Sequence, residues 1–532
     1  MTGQGTPRPR ASVALVAALL AALLAALPVG ATAAEADNTQ AGAAVVATDN
    51  GPVLGMAGAT VRSFLAIPYA APPVGELRWR PPQPAARWHG LRDATEPAPY
   101  CPQPTTPYGR ASTSEDCLYL NVFTPADANP ADRYPVLFWI HGGALLVGGS
   151  AGYDPSRLVA KGVVVVTTNY RIGMLGFLAH RALSAESPDH ASGNYGLMDQ
   201  QAALAWAQRN IAYFGGDPDN VAIFGESAGG LSVHSQLASP LAAGLFRRAI
   251  VQSGAYSLTQ PSLAAAEAAG QAFATRAGCA DQSLTCLRDL PVSWLLAANT
   301  ASTIVPDVDG KVLTQSVGAA FASGRFNRVP VIEGSNHDEW RLFVASTEAE
   351  TGTPLTAERY EAAIAATLGV SAATAHALAL MYPLSAYASP SVALGALGTD
   401  AIFACNARRA LRSLAQYVPA YQYQFHDSTA PMRFFSGISF PTGAYHASEI
   451  QYLFDTPGSP VPATLNAEQS ALADAIVTYW TDFAKTGDPN AGSVAAWPTY
   501  DAAAEQFQSL ELPAPVTRTG FALDHRCAVW GG

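Results

Sequence analysis

Lysine is nearly missing from this 532-residue chain: only Lys161, Lys311 and Lys485 occur, and charged residues of all kinds make up 13%. The 30 Lys and Arg stand against 41 Asp and Glu, a formal charge of −11. A chain so poor in cations has little with which to neutralise phosphates, which argues against nucleic acid as a partner. No cysteine pair has C-x-x-C spacing, so zinc and dithiol redox motifs are absent. There is no N-x-S/T sequon either. Beyond the first thirty residues no apolar run is long enough to cross a bilayer, so stable membrane insertion is not expected. What is plentiful is core material: 49% hydrophobic residues, with 20 Tyr, 20 Phe and 9 Trp, which excludes a disordered chain.

The N-terminus reads as an export signal. Arg8 and Arg10 precede an apolar run over 11–27, closed by Pro28 and Gly30 and followed by Ala31-Thr32-Ala33. A short basic region, an apolar stretch and an A-x-A site describe a secretory signal peptide, expected over 1–33. An uncleaved anchor is the alternative, but 17 residues are marginal for spanning a bilayer. The expectation is a secreted protein with one catalytic domain over 34–532; oligomeric state has no readable signal. The six cysteines, Cys101, Cys117, Cys279, Cys286, Cys405 and Cys527, fit export as oxidised pairs. Six cysteines allow 15 pairings, and sequence alone does not choose among them. Nearest-neighbour closure suggests Cys101–Cys117 and Cys279–Cys286, leaving Cys405–Cys527.

Short β-branched runs at 136–140, 163–168, 221–224, 249–252, 329–333 and 421–425 read as strands. Helical spacing occupies 195–214, 228–237 and 466–485, with a Gly-Gly-Asp-Pro turn at 215–218. Strands alternating with helices predict an α/β fold, a mostly parallel sheet covered on both faces.

In such sheets chemistry gathers at the carboxyl ends of strands. The strand ending at Phe224 runs into Gly225-Glu226-Ser227-Ala228-Gly229, a G-x-S-x-G pattern at a strand-to-helix turn, the nucleophile elbow. The same pattern at Gly148-Gly149-Ser150-Ala151-Gly152 lies in a glycine-rich loop with no strand leading into it, and is set aside. A serine hydroxyl needs a base, and the base an orienting carboxylate, in the chain order Ser, acid, His. Among downstream histidines, His234 follows the elbow on its helix, His337 precedes most acid candidates, and His525 lies near the C-terminus. His426 and His446 remain equally placed. For the acid, Asp338 and Glu339 follow the 329–333 strand, and the residues alone stop at that pair. An oxyanion needs backbone donors; His141-Gly142-Gly143-Ala144 after the 136–140 strand can supply them together with the amide of Ala228.

With these residues assembled, the chain resembles the type-B carboxylesterase/lipase family, relatives of cholinesterases and of bacterial p-nitrobenzyl esterases. The likeness rests on Phe214-Gly215-Gly216 through Gly225-Glu226-Ser227-Ala228-Gly229 and on Glu115-Asp116-Cys117-Leu118-Tyr119-Leu120-Asn121-Val122. It continues in Ile67-Pro68-Tyr69-Ala70, in Pro72-Pro73-Val74-Gly75-Glu76-Leu77-Arg78 and in Phe483-Ala484-Lys485-Thr486-Gly487-Asp488-Pro489-Asn490. The resemblance implies an α/β-hydrolase fold with loop and helix insertions, and hydrolysis of small-molecule carboxylic esters without metal or organic cofactor. It places the nucleophile at Ser227, the acid at Glu339 and the base at His446, which sits in a G-x-x-H-x-x-E pattern ending at Glu449. It places the oxyanion donors at Gly143, Ala144 and Ala228, a field-tuning carboxylate at Glu226, and the three disulfides at the pairings above. Trp340, Ala144 and Leu145 stand where the family usually has glycine, glycine and an aromatic. Only 15 residues, with Tyr108 the sole aromatic, separate Cys101 from Cys117, so a cation–π choline site is not expected. The competing expectations are a lipase, sterol-ester or polyester hydrolase with the same residues, and a non-catalytic binding protein.

Overall fold

The computed structural model describes residues 42–299, 304–492 and 494–531. The leader expected over 1–33 lies outside the described residues. Thirteen strands form one sheet: β1 (Gly42–Thr48), β2 (Gly51–Ala57), β3 (Val61–Pro68), β4 (Arg92–Asp93), β5 (Tyr119–Pro125), β6 (Tyr134–Ile140), β7 (Val164–Thr168), β8 (Gly216–Glu226), β9 (Arg248–Gln252), β10 (Val331–Asn336), β11 (Ala420–Phe425), β12 (Phe507–Leu510) and β13 (Val516–Arg518). Their spatial order is β1-β2-β3-β5-β7-β6-β8-β9-β10-β11-β12-β13, with β4 beside β2. From β7 across to β12 every neighbouring pair is parallel. The antiparallel pairs lie at the two ends.

The pleat sorts each central strand into two cores. Val136, Phe138 and Ile140 face one side of the sheet, as do Val164, Val166, Val221 and Ile223. Leu137, Trp139, Val163, Val165, Ala222 and Phe224 face the other. The first face is covered by helices Tyr195–Asn210 and Ala228–Ala238, through Leu204, Trp206, Leu231 and Leu237. The second is covered by helix Ala467–Thr486, through Leu472, Ile476, Trp480 and Phe483. That helix starts on a capping box between Asn466 and Gln469 and stops at Gly487, φ +82°. A third core, built around Trp340, Phe343, Phe403 and Tyr445, caps the carboxyl end of the sheet.

The elements expected from the sequence are present with shifted bounds. Helix 195–214 is α-helical only to Asn210 and tightens to a 3₁₀ turn over Ile211–Phe214. The Gly-Gly-Asp-Pro segment is not simply a turn: Gly215 caps the helix at φ +88°, and β8 already begins at Gly216. Tyr134 pairs with Gly216, and the next partner, Val136, meets Val221, so residues 217–220 bulge out and Pro218 breaks no ladder bond. The strand expected at 329–333 runs later, over Val331–Asn336, because its polar end is buried between β9 and β11 and finds partners there.

Three disulfides join Cys101–Cys117, Cys279–Cys286 and Cys405–Cys527. The last closes 122 residues of chain and draws the C-terminal turn back over helix Cys405–Leu414. Replacing both Cys405 and Cys527 by alanine is expected to cost about 4 kcal/mol, read as a lower midpoint of thermal unfolding. A midpoint equal to the parent's would show that the C-terminus is held by its other contacts.

Candidate active site

β8 ends at Glu226, and Ser227 turns the chain at φ +55°, ψ −119° before helix Ala228–Ala238 begins. A side chain in that conformation is strained and persists only where its surroundings fix it. Here the surroundings are backbone. A Cβ on Gly225 would lie 2.6 Å from the carbonyl of Gly229, and one on Gly229 would lie 2.0 Å from the carbonyl oxygen of Ile140. Ser227 N–H donates to the Gln252 carbonyl at 2.9 Å, and Leu231 N–H donates to the Ser227 carbonyl at 2.8 Å. The half-buried Ser227 side chain is thus presented at the carboxyl edge of the sheet.

Glu339 and His446 arrive from two other loops. Glu339 follows β10 and is fully buried; its Oε1 accepts from Asn336 N–H at 2.7 Å, and its Oε2 lies 2.6 Å from His446 Nδ1. A carboxylate can only accept in this arrangement, so Nδ1 carries the ring proton and Nε2 is left free to accept one. Nε2 lies 3.2 Å from Glu226 Oε1, beside Ser227, yet the two atoms are not aligned for a hydrogen bond. Among the described residues no hydrogen bond joins His446 to Ser227. The ring is walled by Phe343 at 5.3 Å and Phe403 at 4.8 Å, the latter delivered by a π-helical turn over Thr399–Ala404. Trp340 fits because Gly398 makes room: a Cβ there would meet its ring at 2.2 Å.

The alternatives left open by the residues have other partners. His426 stacks on His337, ring centroids 4.0 Å apart and planes nearly parallel at 3°. His234 is buried against Glu333, Nε2 to Oε2 2.7 Å, and His525 against Asp400, Nδ1 to Oδ1 2.7 Å. Asp338 does not touch His446; its Oδ2 accepts from Ala444 N–H. Ser150 is buried in the glycine loop, its N–H donating to Asn169.

After β6 the glycine loop takes three successive left-handed residues, Gly143 at φ +101°, Ala144 at +58° and Leu145 at +60°. The Gly143 carbonyl accepts from Leu146 and Val147, and the N–H groups of Gly143, Ala144 and Ala228 donate to no other group among the described residues. A Cβ on Gly142 would lie 2.7 Å from the Glu226 carbonyl oxygen, so loop and elbow touch. Gln103, which no motif singles out, holds the far end: its side chain donates to the Gly148 carbonyl at 2.7 Å and accepts from Gly148 N–H at 2.8 Å. His141 is buried, stacked on Tyr170 at 4.4 Å, and burial pushes it down to about 4, so at neutral pH it is an uncharged brace.

A buried relay supports the site from below. Trp480 Nε1–H donates to Gln252 Oε1, Gln252 Nε2 to Glu449 Oε1, and Asn336 Nδ2 to Glu449 Oε2. Gln252 and Asn336 are the last residues of β9 and β10, and their side chains carry no motif that would have marked them. Three carboxylates, Glu226, Glu339 and Glu449, therefore surround one imidazole. Burial holds Glu226 well above the usual carboxylate range; the imidazole pulls it down, while Glu449 and Glu339 push it further up. Burial alone would lower His446, but Glu226, Glu339 and Glu449 outweigh it and raise the ring.

This geometry can activate a hydroxyl and hold an oxyanion, and the comparisons say in which lineage. The model of the carboxylesterase family matches residues 42–530. The chain belongs to that family. It is 35% identical to the para-nitrobenzyl esterase of Bacillus subtilis, over 89% of this chain and 95% of the relative. It is 36% identical to the fumonisin B1 esterase of Sphingopyxis macrogoltabida, over 85% and 84%. Against the human cocaine esterase the identity is 34%, over 91% and 90%. The fold is accordingly an α/β hydrolase and the protein a carboxylic ester hydrolase whose substrates are small-molecule esters.

The acidic setting of His446 has a measurable sign. Glu226→Gln removes the negative charge nearest Nε2, so the ring gives up its proton at lower pH. The ascending limb of the kcat/KM profile is expected to move to lower pH in that variant. An unmoved or raised limb would show that Glu226 does not act on the ring.

Proposed function

We propose that this esterase works through an acyl-enzyme on Ser227, with His446 as general base and Glu339 as its orienting carboxylate. The observation that carries the reading is the 2.6 Å Glu339–His446 contact, which leaves Nε2 turned toward the elbow. As Ser227 Oγ attacks the ester carbonyl carbon, Nε2 takes the hydroxyl proton, and the carbonyl oxygen gathers negative charge. The N–H groups of Gly143, Ala144 and Ala228 receive that charge; one such donor is worth roughly 2.7–4 kcal/mol in the transition state. The imidazolium, compensated by Glu339, returns the proton to the departing alkoxide, and the alcohol leaves. Water then attacks the acyl carbon with His446 again as base, freeing the acid and Ser227. The Ser227–His446 hydrogen bond closes when ester is bound, as such bonds commonly do. Glu226, buried beside Nε2, adds to the negative field that holds the imidazolium.

The same reading takes 34–532 as one exported catalytic domain. Three disulfides, all made from the six cysteines, are consistent with an oxidising compartment. Expression in a secreting host is expected to yield extracellular protein whose N-terminus, by Edman sequencing, begins near Ala34. Protein retained in the cell with its leader intact would overturn the export reading.

Ser227→Ala is expected to lower kcat by about 10⁶-fold and to abolish labelling by a fluorophosphonate. Turnover within tenfold of the parent in that variant would remove Ser227 from the chemistry.

A further inference from the structure

Glu339 and His446 stand on loops that leave different strands, yet they meet at 2.6 Å. Asn336 Nδ2 donates to the Tyr445 carbonyl at 2.8 Å and His446 N–H to the Glu339 carbonyl at 3.3 Å, and Asp338 adds a two-point link between the same loops. Its N–H donates to the Ala444 carbonyl at 3.0 Å, and its Oδ2 accepts from Ala444 N–H at 3.0 Å, a reciprocal pair two residues before His446. Gly443, at φ +61°, leaves the room this requires: a Cβ there would lie 2.1 Å from Asp338 Oδ2. The other oxygen, Oδ1, is held by Arg341 Nη2 at 2.8 Å and His337 Nδ1 at 3.0 Å. Arg341 also donates to the Pro441 carbonyl on the histidine loop at 3.1 Å. His337 Nε2 reaches Asp524 Oδ2 at 3.3 Å, on the C-terminal turn that Cys527 ties to Cys405.

We propose that Asp338 is a positioning residue for ester hydrolysis: its carboxylate, balanced by Arg341 and His337, locks the histidine loop onto the acid loop. The proposal rests on the reading of Ser227, Glu339 and His446 given above. The charges around the clamp favour it. Burial opposes ionisation of Asp338, but His337, Arg341 and the Ala444 N–H outweigh it and hold the carboxyl below its usual range. His337 faces Asp338 and Asp524, with the rings of His426 and His525 alongside; burial is overcome by the two carboxylates, which lift it to about 10. Two cations and one carboxylate thus meet on the acid loop where it touches the histidine loop, with Asp524 completing the balance. Without the Asp338 carboxylate, Arg341 would keep the Pro441 carbonyl and His337 would keep Asp524, and the two cations would lose the anion they share.

Asp338→Ala is expected to lower kcat roughly 30- to 100-fold with KM within about threefold, the signature of a displaced base rather than lost binding. Asp338→Asn keeps an oxygen for the Ala444 N–H but turns its NH2 toward Arg341 and His337, and is expected to recover part of that loss. Gly443→Ala pushes the carboxylate away from the other side and should reproduce the kcat loss in a chain that retains Asp338. In both impaired variants the rate of Ser227 phosphonylation by a fluorophosphonate should fall by the same factor as kcat, with far-UV circular dichroism unchanged. A folded Asp338→Ala enzyme with parental kcat, a loss carried by KM alone, or an Asp338→Asn variant no better than Asp338→Ala would each overturn the proposal. Ser227→Ala and His446→Ala, assayed in parallel, separate the two levels. If they are inactive and Asp338→Ala is not, only the clamp fails; if either keeps parental activity, the reading beneath it fails.

Discussion

The contact on which the site depends is backbone against backbone. Gly229, the second residue of helix Ala228–Ala238, lies so near the carbonyl of Ile140 that no side chain fits between them. Gly225 meets Gly229 in the same way. Because the helix can press onto the end of β6, the turn between β8 and the helix shrinks to one residue, and that residue is forced to φ +55°. The strain stored there, on the order of 1–3 kcal/mol, is held by packing over two faces of a sheet. The same approach brings Gly142 onto Glu226 and so fixes the glycine loop relative to the serine. Ser227 and the backbone of Gly143 and Ala144 are therefore set by one contact, and neither can drift without the other.

Electrostatics imposes the second constraint. Burying three carboxylates around an imidazole is costly unless each is paired or protonated. Glu339 is satisfied by Asn336 N–H and by the ring, and Glu449 by Gln252 and Asn336. Glu226 has no comparable donor on Oε1, and burial holds it well above the usual carboxylate range. The uneven supply of donors, rather than any difference between glutamates, sets the well-paired Glu339 and Glu449 apart from Glu226. Phe343 and Phe403 sharpen the contrast by keeping water from the ring edge.

Much of this was legible in the sequence, and the boundary of legibility has a physical cause. Central strands are continuous β-branched runs because both their faces are buried, so β6, β7 and β9 could be read from residue type alone. Glycines demanded by close approach left the G-x-S-x-G pattern, and the neighbouring strand distinguished it from the decoy at Ser150. The choices between His426 and His446, and between Asp338 and Glu339, could not be made from spacing, because in each pair both residues follow a strand end and differ only in where their side chains reach. Resemblance favoured His446 and Glu339, and the structure brings those two together while giving His426 a stack on His337 and Asp338 a grip on Ala444. Gln103, Gln252 and Asn336 left no pattern at all. An amide that satisfies backbone or a carboxylate across the sheet is fixed by three-dimensional neighbours, and the sequence around it looks ordinary. The β8 bulge was hidden for the same reason, since Pro218 forbids a regular ladder but says nothing of how the partner strand absorbs the extra residues.

The site draws on four segments, near 142–148, 225–228, 336–341 and 443–449, and every pair of them is joined across parallel strands. Parallel pairing is non-local by construction, so none of these loops can be placed before the sheet between them is complete. The consequence is that small losses far from Ser227 act on geometry before they act on stability. A displacement of about 1 Å at a reacting group can cost on the order of a hundredfold in rate, whereas the same shift in a packed loop costs little in free energy. That asymmetry explains why the loops are pinned by paired hydrogen bonds rather than by apolar contact alone. Gln103 grips Gly148 through both its amide atoms, and Asp338 grips Ala444 through backbone and carboxylate together. A two-point hydrogen bond fixes orientation as well as distance, and orientation is what a proton transfer between loops from different strands requires.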